Sequence, residues 1–282
     1  MTRAALATVL ALIAFASNSI LCRLALRSGA IDPASFTAIR LVSGAVVLSI
    51  LVAVRRSRID RTGPRPWLPA LWLTMYAVPF AWAYTDVPAG TGALLLFASV
   101  QLTMIVTSIA RGAPPSPRQG VGIAVAFVGV VWLVLPGVTA PRPASALLMI
   151  VAGMAWGWYT LGGRGSPDPL GQTARNFAWS LPYVIVVCLL AWPRTAPRAG
   201  GILAAVASGA LGSGLGYAIW YDALRSLSAI RAAVVQLAVP VIAAAGGIAF
   251  LGETLTLRLV EASILVLGGI GLTFARMRGG RS

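Results

Sequence analysis

Residues 89–110 read AGTGALLLFASVQLTMIVTSIA, an apolar run without a single charged side chain. A helix needs about 20 such residues to cross the hydrocarbon core of a bilayer. Similar runs fill the rest of the chain, and short arginine-bearing connectors separate them. The sequence therefore predicts an all-α membrane protein with ten transmembrane helices. The predicted spans are about 4–22, 33–54, 67–86, 89–110, 119–136, 144–163, 170–192, 201–222, 229–250 and 257–275.

Composition excludes most soluble functions. The chain is 58% hydrophobic and 10% charged, with a mean hydropathy of +0.86, far from the usual shares of a soluble domain. The longest connector, around residues 55–66, leaves little room for catalytic machinery outside the membrane, and the sequence offers no paired central acids, HExxH or GxSxG motif. We therefore do not expect an enzyme. The chain has no histidine and only Cys22 and Cys188 as thiols, so we expect neither a metal nor a cofactor.

The arginines predict the orientation. A net charge of +15 would suggest nucleic acid in a soluble protein, but here the basic residues lie at the ends of spans, where they orient helices. With a cytoplasmic N-terminus, ten spans return the C-terminus to the cytoplasm, and fifteen of the 22 arginines then fall on the cytoplasmic side. We expect a multi-pass protein of a bacterial inner membrane, with lipid around it and no nucleic-acid partner.

The chain also repeats itself weakly. A shift of 140 positions lays residues 93–134 on residues 233–274 without a gap, and brings Gly129 onto Gly269. We divide the chain accordingly into repeats 1–137 and 138–282. Because five is an odd number, two five-helix repeats in series enter the membrane with opposite orientation. Inverted repeats of this kind recur in transporters, with the substrate site near the midplane between the halves.

Two short motifs carry a resemblance to a known family. Asp32-Pro33 and Asp168-Pro169 each precede an arginine near the start of spans two and seven, and Leu251-Gly252-Glu253 precedes the last span. With the ten short-looped spans, these features resemble the drug/metabolite transporter superfamily, and within it the EamA-type ten-helix exporters. The aromatic amino-acid exporters of the YddG kind are the most similar in appearance. The first-half counterpart of the last motif, Arg111-Gly112-Ala113, lacks the acid.

Polar and aromatic side chains at mid-span are the candidate substrate contacts, since lipid penalises polar groups there. Asn18 interrupts span one, where it either binds substrate or hydrogen-bonds another helix. Spans three and eight bring Tyr76, Phe80 and Tyr217 to similar depths. Rings in that position stack on a flat apolar ligand or hold a cation.

Two further spans supply candidates. Gly153 and Gly157 form a close-packing pair on span six, and the resemblance implies that Trp156 or Tyr159 contacts substrate. On span four, Ser99 and Gln101 point in different directions, so we choose Ser99 for the cavity and assign Gln101 to an interhelical bond. The full set of predicted substrate-binding residues is Asn18, Tyr76, Phe80, Ser99, Trp156, Tyr159 and Tyr217.

Few ionisable groups are predicted to lie deep in the membrane. Arg40 and Arg175 are a turn or two inside spans two and seven, and we expect their long side chains to anchor at the interface. Pumps that relay protons tend to carry a central acid, and Glu261 lies only one turn inside span ten. Proton coupling is therefore not favoured.

These observations favour a secondary exporter of small amphiphilic metabolites that works by alternating access. Aromatic or other hydrophobic amino acids are the preferred substrates, because rings predominate and central charge is sparse. The alternatives are an exporter of multiple drugs or cationic compounds, a flippase for lipid-linked sugars, and a channel. The expected state is a monomer or weak dimer.

Overall fold

The computed structural model describes residues 3–55, 66–112, 115–163, 166–191, 196–227, 232 and 235–274. Regular secondary structure in these ranges is helical. The helices are α1 (Arg3–Arg27), α2 (Pro33–Val54), α3 (Trp67–Ala83), α4 (Ala89–Ala110), α5 (Pro117–Val134), α6 (Pro143–Gly162), α7 (Pro169–Ala191), α8 (Ala199–Leu224), α9 (Ala238–Leu251) and α10 (Leu257–Phe274).

Seven of these helices, α1, α2 and α4 to α8, are long and apolar enough to cross a membrane. Their number confirms an all-helical, multi-pass membrane protein. The seven do not include α3, α9 and α10, so the count of ten crossings stays a prediction. Span nine was predicted to begin near residue 229, and residues 228–231 and 233–234 lie outside the described residues.

The repeated Asp-Pro motif starts two corresponding helices. Asp32 caps α2 by accepting the Ser35 N–H through its side chain, and Pro33 follows at the first helical position. Asp168 accepts the Gly171 N–H in the same way at the start of α7. A capping oxygen satisfies one of the free N–H groups of a first turn, and proline fits the next position because it has no N–H to satisfy. The motif is therefore a helix-start signal used twice.

Helix ends collect on two opposite faces. On the first, which we call the N-terminal face, Arg3, Arg55, Asp168, Asp222 and Arg225 border one hollow of about 950 Å³. The start of α1 and of α7 and the ends of α2 and α8 therefore meet there. The Arg55 and Asp222 side chains are 3.0 Å apart and half exposed.

The opposite, distal face gathers the other ends of the helices. The end of α1 meets the turn after α9 through Arg23 and Glu253, whose side chains lie 3.3 Å apart. The turn after α3 meets the start of α6 through Asp86, which accepts bonds from Arg142 and Ser145 at 3.0 Å. The chain thus runs back and forth between the two faces.

The first helix of each proposed repeat packs against the other repeat. Helix α1 contacts α8 and α9, and α6 contacts α3 and α4. The remaining major contacts pair α2 with α7, α5 with α10, α4 with α9, α3 with α7 and α2 with α8. If each of the helices α1 to α5 is exchanged with the helix five places later in the chain, the same set of contacting helix pairs is obtained. Such a set is what a two-fold relation between two equivalent segments produces.

The α5–α10 contact has the register of the 140-residue shift. A Cβ placed on Gly129 would lie 2.9 Å from Val266 Cγ2, and one placed on Gly269 would lie 2.5 Å from the Ala126 nitrogen. A shift of 140 positions forward takes Gly129 to Gly269, and the same shift backward takes Val266 to Ala126. The two contacts are therefore equivalent under the repeat. The proposed repeats therefore meet through equivalent residues. Their opposite insertion stays a prediction.

The same contact provides a packing test. A Cβ on Gly122 would lie 2.5 Å from the Gly269 carbonyl oxygen, whereas one on Gly120 would meet nothing within 4 Å. We expect Gly122→Leu to separate α5 from α10 and to destabilise the protein by about 1–3 kcal/mol. Gly120→Leu, on the same helix, should leave the melting temperature in detergent unchanged or raise it. Equal melting temperatures for the two variants would contradict this packing.

Candidate functional site

A cavity of about 390 Å³ lies between α1, α3, α4, α6, α7 and α8. Six of the seven predicted site residues line it, and they come from four different helices. These six are Asn18, Tyr76, Phe80, Trp156, Tyr159 and Tyr217. The residues that line it include no aspartate or glutamate. The cavity is therefore aromatic and neutral at its surface.

Trp156 is the centre of the aromatic wall. Its ring centroid is 4.7 Å from that of Tyr76, 5.1 Å from that of Tyr159 and 5.6 Å from that of Tyr217. The planes of Trp156 and Tyr217 differ by only 19°. Trp156 thus stacks on Tyr159 and Tyr217 and lies tilted by 49° against Tyr76, and this cluster of rings from α3, α6 and α8 offers apolar faces to a ligand.

Glycines on α6 turn its aromatic residues towards the cavity. A Cβ on Gly157 would lie 3.0 Å from Thr103 on α4, and one on Gly153 would lie 2.5 Å from Ser99 Cβ. Because this side of α6 packs directly on α4, Trp156 and Tyr159 project into the cavity instead. Trp158 faces away, with its ring 4.8 Å from that of Trp72.

The expected choice between Ser99 and Gln101 is reversed. Gln101 is among the residues that line the cavity, whereas Ser99 is not. Ser99 is buried against Gly153 between α4 and α6. The glycine leaves room for a small side chain only on the packed face of α4, so the larger amide faces the open space. Nothing in this geometry assigns a ligand contact to either residue.

Asn18 serves the cavity and the packing together. It lines the cavity, and its Oδ1 accepts a 2.8 Å hydrogen bond from the Ser208 hydroxyl on α8. The side chain also lies directly against Gly212, where a Cβ would collide with it. Both roles that the sequence suggested for Asn18 are thus compatible with its position.

The bond from Ser208 falls at a break in the regular winding of α8. Residues Ser208–Leu215 form a π-helical stretch, a feature often found at functional sites. Gly209 on this stretch lies against the Arg40 carbonyl and the Ser43 hydroxyl of α2. The glycines therefore let α8 approach α1 and α2 very closely on one side of the cavity.

Arg40 is buried beneath the cavity wall and does not reach the interface as the sequence had suggested. It is only 2% exposed, and its guanidinium carbon lies 5.2 Å from the Tyr76 ring centroid and 4.8 Å from that of Phe80. Its Nη2 donates a 2.8 Å hydrogen bond to the Tyr76 hydroxyl. The prediction of an anchoring role for Arg40 was wrong, because the residue faces the neighbouring helices.

An ionic cluster closes the distal side. Glu253 accepts the Ala89 N–H at the start of α4 through Oε2, at 2.8 Å. Arg23 binds the same carboxylate and also donates to the carbonyl oxygens of Tyr84 and Thr85. These contacts join α1, α3, α4 and α9. The first-half counterpart of Glu253, Ala113, lies outside the described residues.

The cavity extends towards the N-terminal face. Ser166, Pro169, Tyr221 and Leu224 border both the cavity and the wider hollow on that face. Among the described residues, no group of three or more histidine, cysteine, aspartate or glutamate side chains could hold a metal ion.

The fold and the cavity define a multi-pass membrane protein with a ligand-sized, aromatic hollow between its helices. The EamA-like transporter family model matches residues 2–135 and again residues 143–275. The chain belongs to the EamA-like transporter family, within the drug/metabolite transporter superfamily.

Relatives extend this result. An uncharacterized protein of Pseudomonas aeruginosa is 47% identical over 97% of this chain and 95% of its own length. A probable amino-acid metabolite efflux pump of Salmonella typhimurium is 26% identical over 73% of this chain and 77% of its own length. A crystal structure matches with a TM-score of 0.68 over 96% of both chains at 18% identity, a likeness of fold alone.

Cysteine labelling tests the cavity directly. In a background with Cys22→Ala and Cys188→Ala, we expect Met104→Cys to react rapidly with a polar maleimide added at the N-terminal face, because Met104 lines the cavity and is partly exposed. Ser99→Cys, on the same helix but buried against α6, should react far more slowly. The reverse order of labelling rates would contradict the described orientation of α4.

Proposed function

We propose that the protein is a secondary exporter of small amphiphilic metabolites, most suitably aromatic or other hydrophobic amino acids, that works by alternating access. The observation that carries the proposal is the aromatic cavity between the helices, continuous with a hollow on one face and closed by ionic contacts at the other. A carrier needs one site that is exposed to only one side at a time. This geometry meets that requirement for one of the two states.

The second state follows from an inverted repeat. We propose that residues 1–137 and 138–282 are oppositely inserted five-helix units, so that ten helices cross the membrane. The exchange-invariant helix contacts and the two separate matches to the family model support this division. If the halves swap conformations, the N-terminal face closes and the distal face opens around the same cavity.

The orientation follows from charge. In our proposal the N-terminal face is cytoplasmic, and both termini lie in the cytoplasm of a bacterium that carries the protein in its inner membrane. The excess of arginines on that side supports this assignment. The described conformation then faces the cytoplasm, which is the side where an exporter loads its substrate.

The substrate class follows from the lining. Aromatic pairs are worth about 0.5–1.5 kcal/mol beyond their buried area, and the Trp156 stack offers several such faces. A cavity of about 390 Å³ is at the small end of ligand sites, which suits a compact molecule such as an aromatic amino acid. The Salmonella relative, a probable amino-acid metabolite efflux pump, supports the same class.

An exporter of aromatic cations is the second candidate. Aromatic faces attract cations, and this cavity is lined with rings. Against it, the cavity-lining residues offer no carboxylate to neutralise a cation, and the buried Arg40 guanidinium repels one. The amino-acid hypothesis is therefore preferred.

Transport by ring variants tests the proposal. Uptake of a panel of radiolabelled amino acids into proteoliposomes should show saturable flux for aromatic members. Tyr217→Ala removes the ring that stacks on Trp156, so we expect at least a roughly tenfold loss of apparent affinity. Tyr183→Ala is the matched control, since Tyr183 is only partly buried on α7 and does not line the cavity. Wild-type flux in Tyr217→Ala, or equal losses in both variants, would remove the stack from the transport path.

A further inference from the structure

Arg40 is a buried charge without a carboxylate partner. None of the ion pairs among the described residues includes it, and its Nε and Nη1 are buried without any hydrogen-bond acceptor. Only Nη2 is satisfied, by the Tyr76 hydroxyl. A buried charged donor left unpaired is more costly than a neutral one, and membrane proteins keep such groups chiefly for function.

Packing alone does not account for this arginine. Its contacts with the Tyr76 and Phe80 rings are favourable, but an apolar side chain of similar volume would also fill the space without the desolvation penalty of a charge. What an apolar side chain would lack is the positive charge and the two unused nitrogens. Both features call for an anionic oxygen.

We propose that Arg40 is the carboxylate-binding residue of the cavity and that it restricts substrates to molecules joining a carboxylate to an apolar, ring-sized group. Zwitterionic amino acids and aryl-alkyl acids belong to this class, and amines without a carboxylate do not. This inference rests on the proposed transport function and narrows its substrate class.

The position of Arg40 fits this role. Tyr76 and Phe80 border the cavity, and the Arg40 guanidinium packs against both of their rings. When the Tyr76 side chain turns aside, a carboxylate can take over the bond that its hydroxyl now accepts and reach the unused nitrogens. The ring of the same ligand then remains beside Trp156, so that one molecule uses both features.

The second half carries a neutral amide at the position aligned with Arg40. Aligning the Asp-Pro motifs places Asn176 of α7 where Arg40 lies on α2, seven residues after the proline in each case. Asn176 lines the cavity and donates a 3.3 Å hydrogen bond to the Tyr159 hydroxyl, much as Arg40 donates to that of Tyr76. One tyrosine thus pairs with a cation and the other with a neutral amide. A single carboxylate, asymmetrically placed, is the ligand that this arrangement suits.

Arg40 also lies towards the distal side of the cavity. Helix α2 begins near the distal face, and a rise of about 1.5 Å per residue puts Arg40 roughly 10 Å below that end. A substrate that enters from the N-terminal face therefore meets the ring stack first and the charge last.

Equilibrium binding to the purified protein tests the inference without requiring transport. The probes are L-phenylalanine, 3-phenylpropionate, L-phenylalaninamide and phenethylamine, with tryptophan fluorescence or calorimetry as the readout. We expect the two carboxylates to bind on the order of 10-fold or more tighter than the two amines without one. Binding of the amines within threefold of the carboxylates, or no binding of either carboxylate, would overturn the inference.

Variants of Arg40 then test whether this residue causes the preference for carboxylates. Arg40→Gln should abolish the discrimination between 3-phenylpropionate and phenethylamine, and Arg40→Lys should keep much of it. Arg142→Gln, which removes an exposed arginine at the distal face, should change nothing. Discrimination that survives in a folded Arg40→Gln protein would overturn the inference. If Arg40→Gln does not fold, the four-probe comparison on the wild-type protein decides.

Two controls distinguish carboxylate binding at Arg40 from the binding of an inorganic anion and from the proposed transport function. Chloride is also an anion that a guanidinium can bind, so thermal stability is compared in chloride and in gluconate. Stabilisation of the wild type by chloride, lost in Arg40→Gln, together with no effect of 3-phenylpropionate would assign the residue to an inorganic anion and overturn the carboxylate role. Carboxylate-selective binding with no flux of any amino acid in proteoliposomes would contradict the proposed function and leave the Arg40 inference supported.

Discussion

The first helix of each sequence half packs mainly against the other half. Helix α1 packs on α8 and α9, and α6 packs on α3 and α4. Each bundle is thus completed by a helix that belongs, in sequence, to the other half. The cavity depends on this exchange, because the Trp156 ring of α6 packs between Tyr76 of α3 and Tyr217 of α8. A movement of one half against the other must therefore reshape the site itself.

The two faces are held by different chemistry. At the distal face, Glu253 joins a helix start to Arg23, and both side chains are about nine-tenths buried. At the N-terminal face, the Arg55–Asp222 pair is half exposed. Exposed pairs contribute little, whereas breaking a buried pair leaves charges that must be hydrated or paired anew. The balance favours the conformation described, closed on the distal side, and opening that side requires new partners for Arg23 and Glu253.

Much of the fold was open to prediction from the sequence, because lipid imposes length and apolarity on each crossing. The starts of α2 and α7 were marked by the Asp-Pro motif, and the aromatic residues of the cavity were found because rings at mid-span are poorly explained by the interfacial belt. The orientation of α4 was not predictable. Ser99 and Gln101 are two positions apart, and only the glycine of a neighbouring helix decides which of them is buried.

The position of Arg40 was predicted wrongly for a related reason. Seven residues of helix is a distance that a long side chain can span to reach the interface, so depth alone did not distinguish anchoring from burial. A signal was present in the periodicity: Phe36 and Gly44, four residues away on either side, are both buried, and residues at this spacing share a helix face. A small residue and a ring flanking a charge on one face indicate a helix contact. Hydropathy is averaged over all sides of a helix and therefore does not detect such a contact.

Counterflow is the measurement that tests most directly whether one cavity serves both faces. Proteoliposomes are loaded with excess unlabelled L-phenylalanine and diluted into a trace of the labelled compound. An alternating-access carrier predicts a transient accumulation of label inside, above its external concentration, because the outward flow of unlabelled substrate returns the empty site to the label. Label that rises only to equality with the outside, with a rate that does not saturate, would contradict the account and indicate a channel.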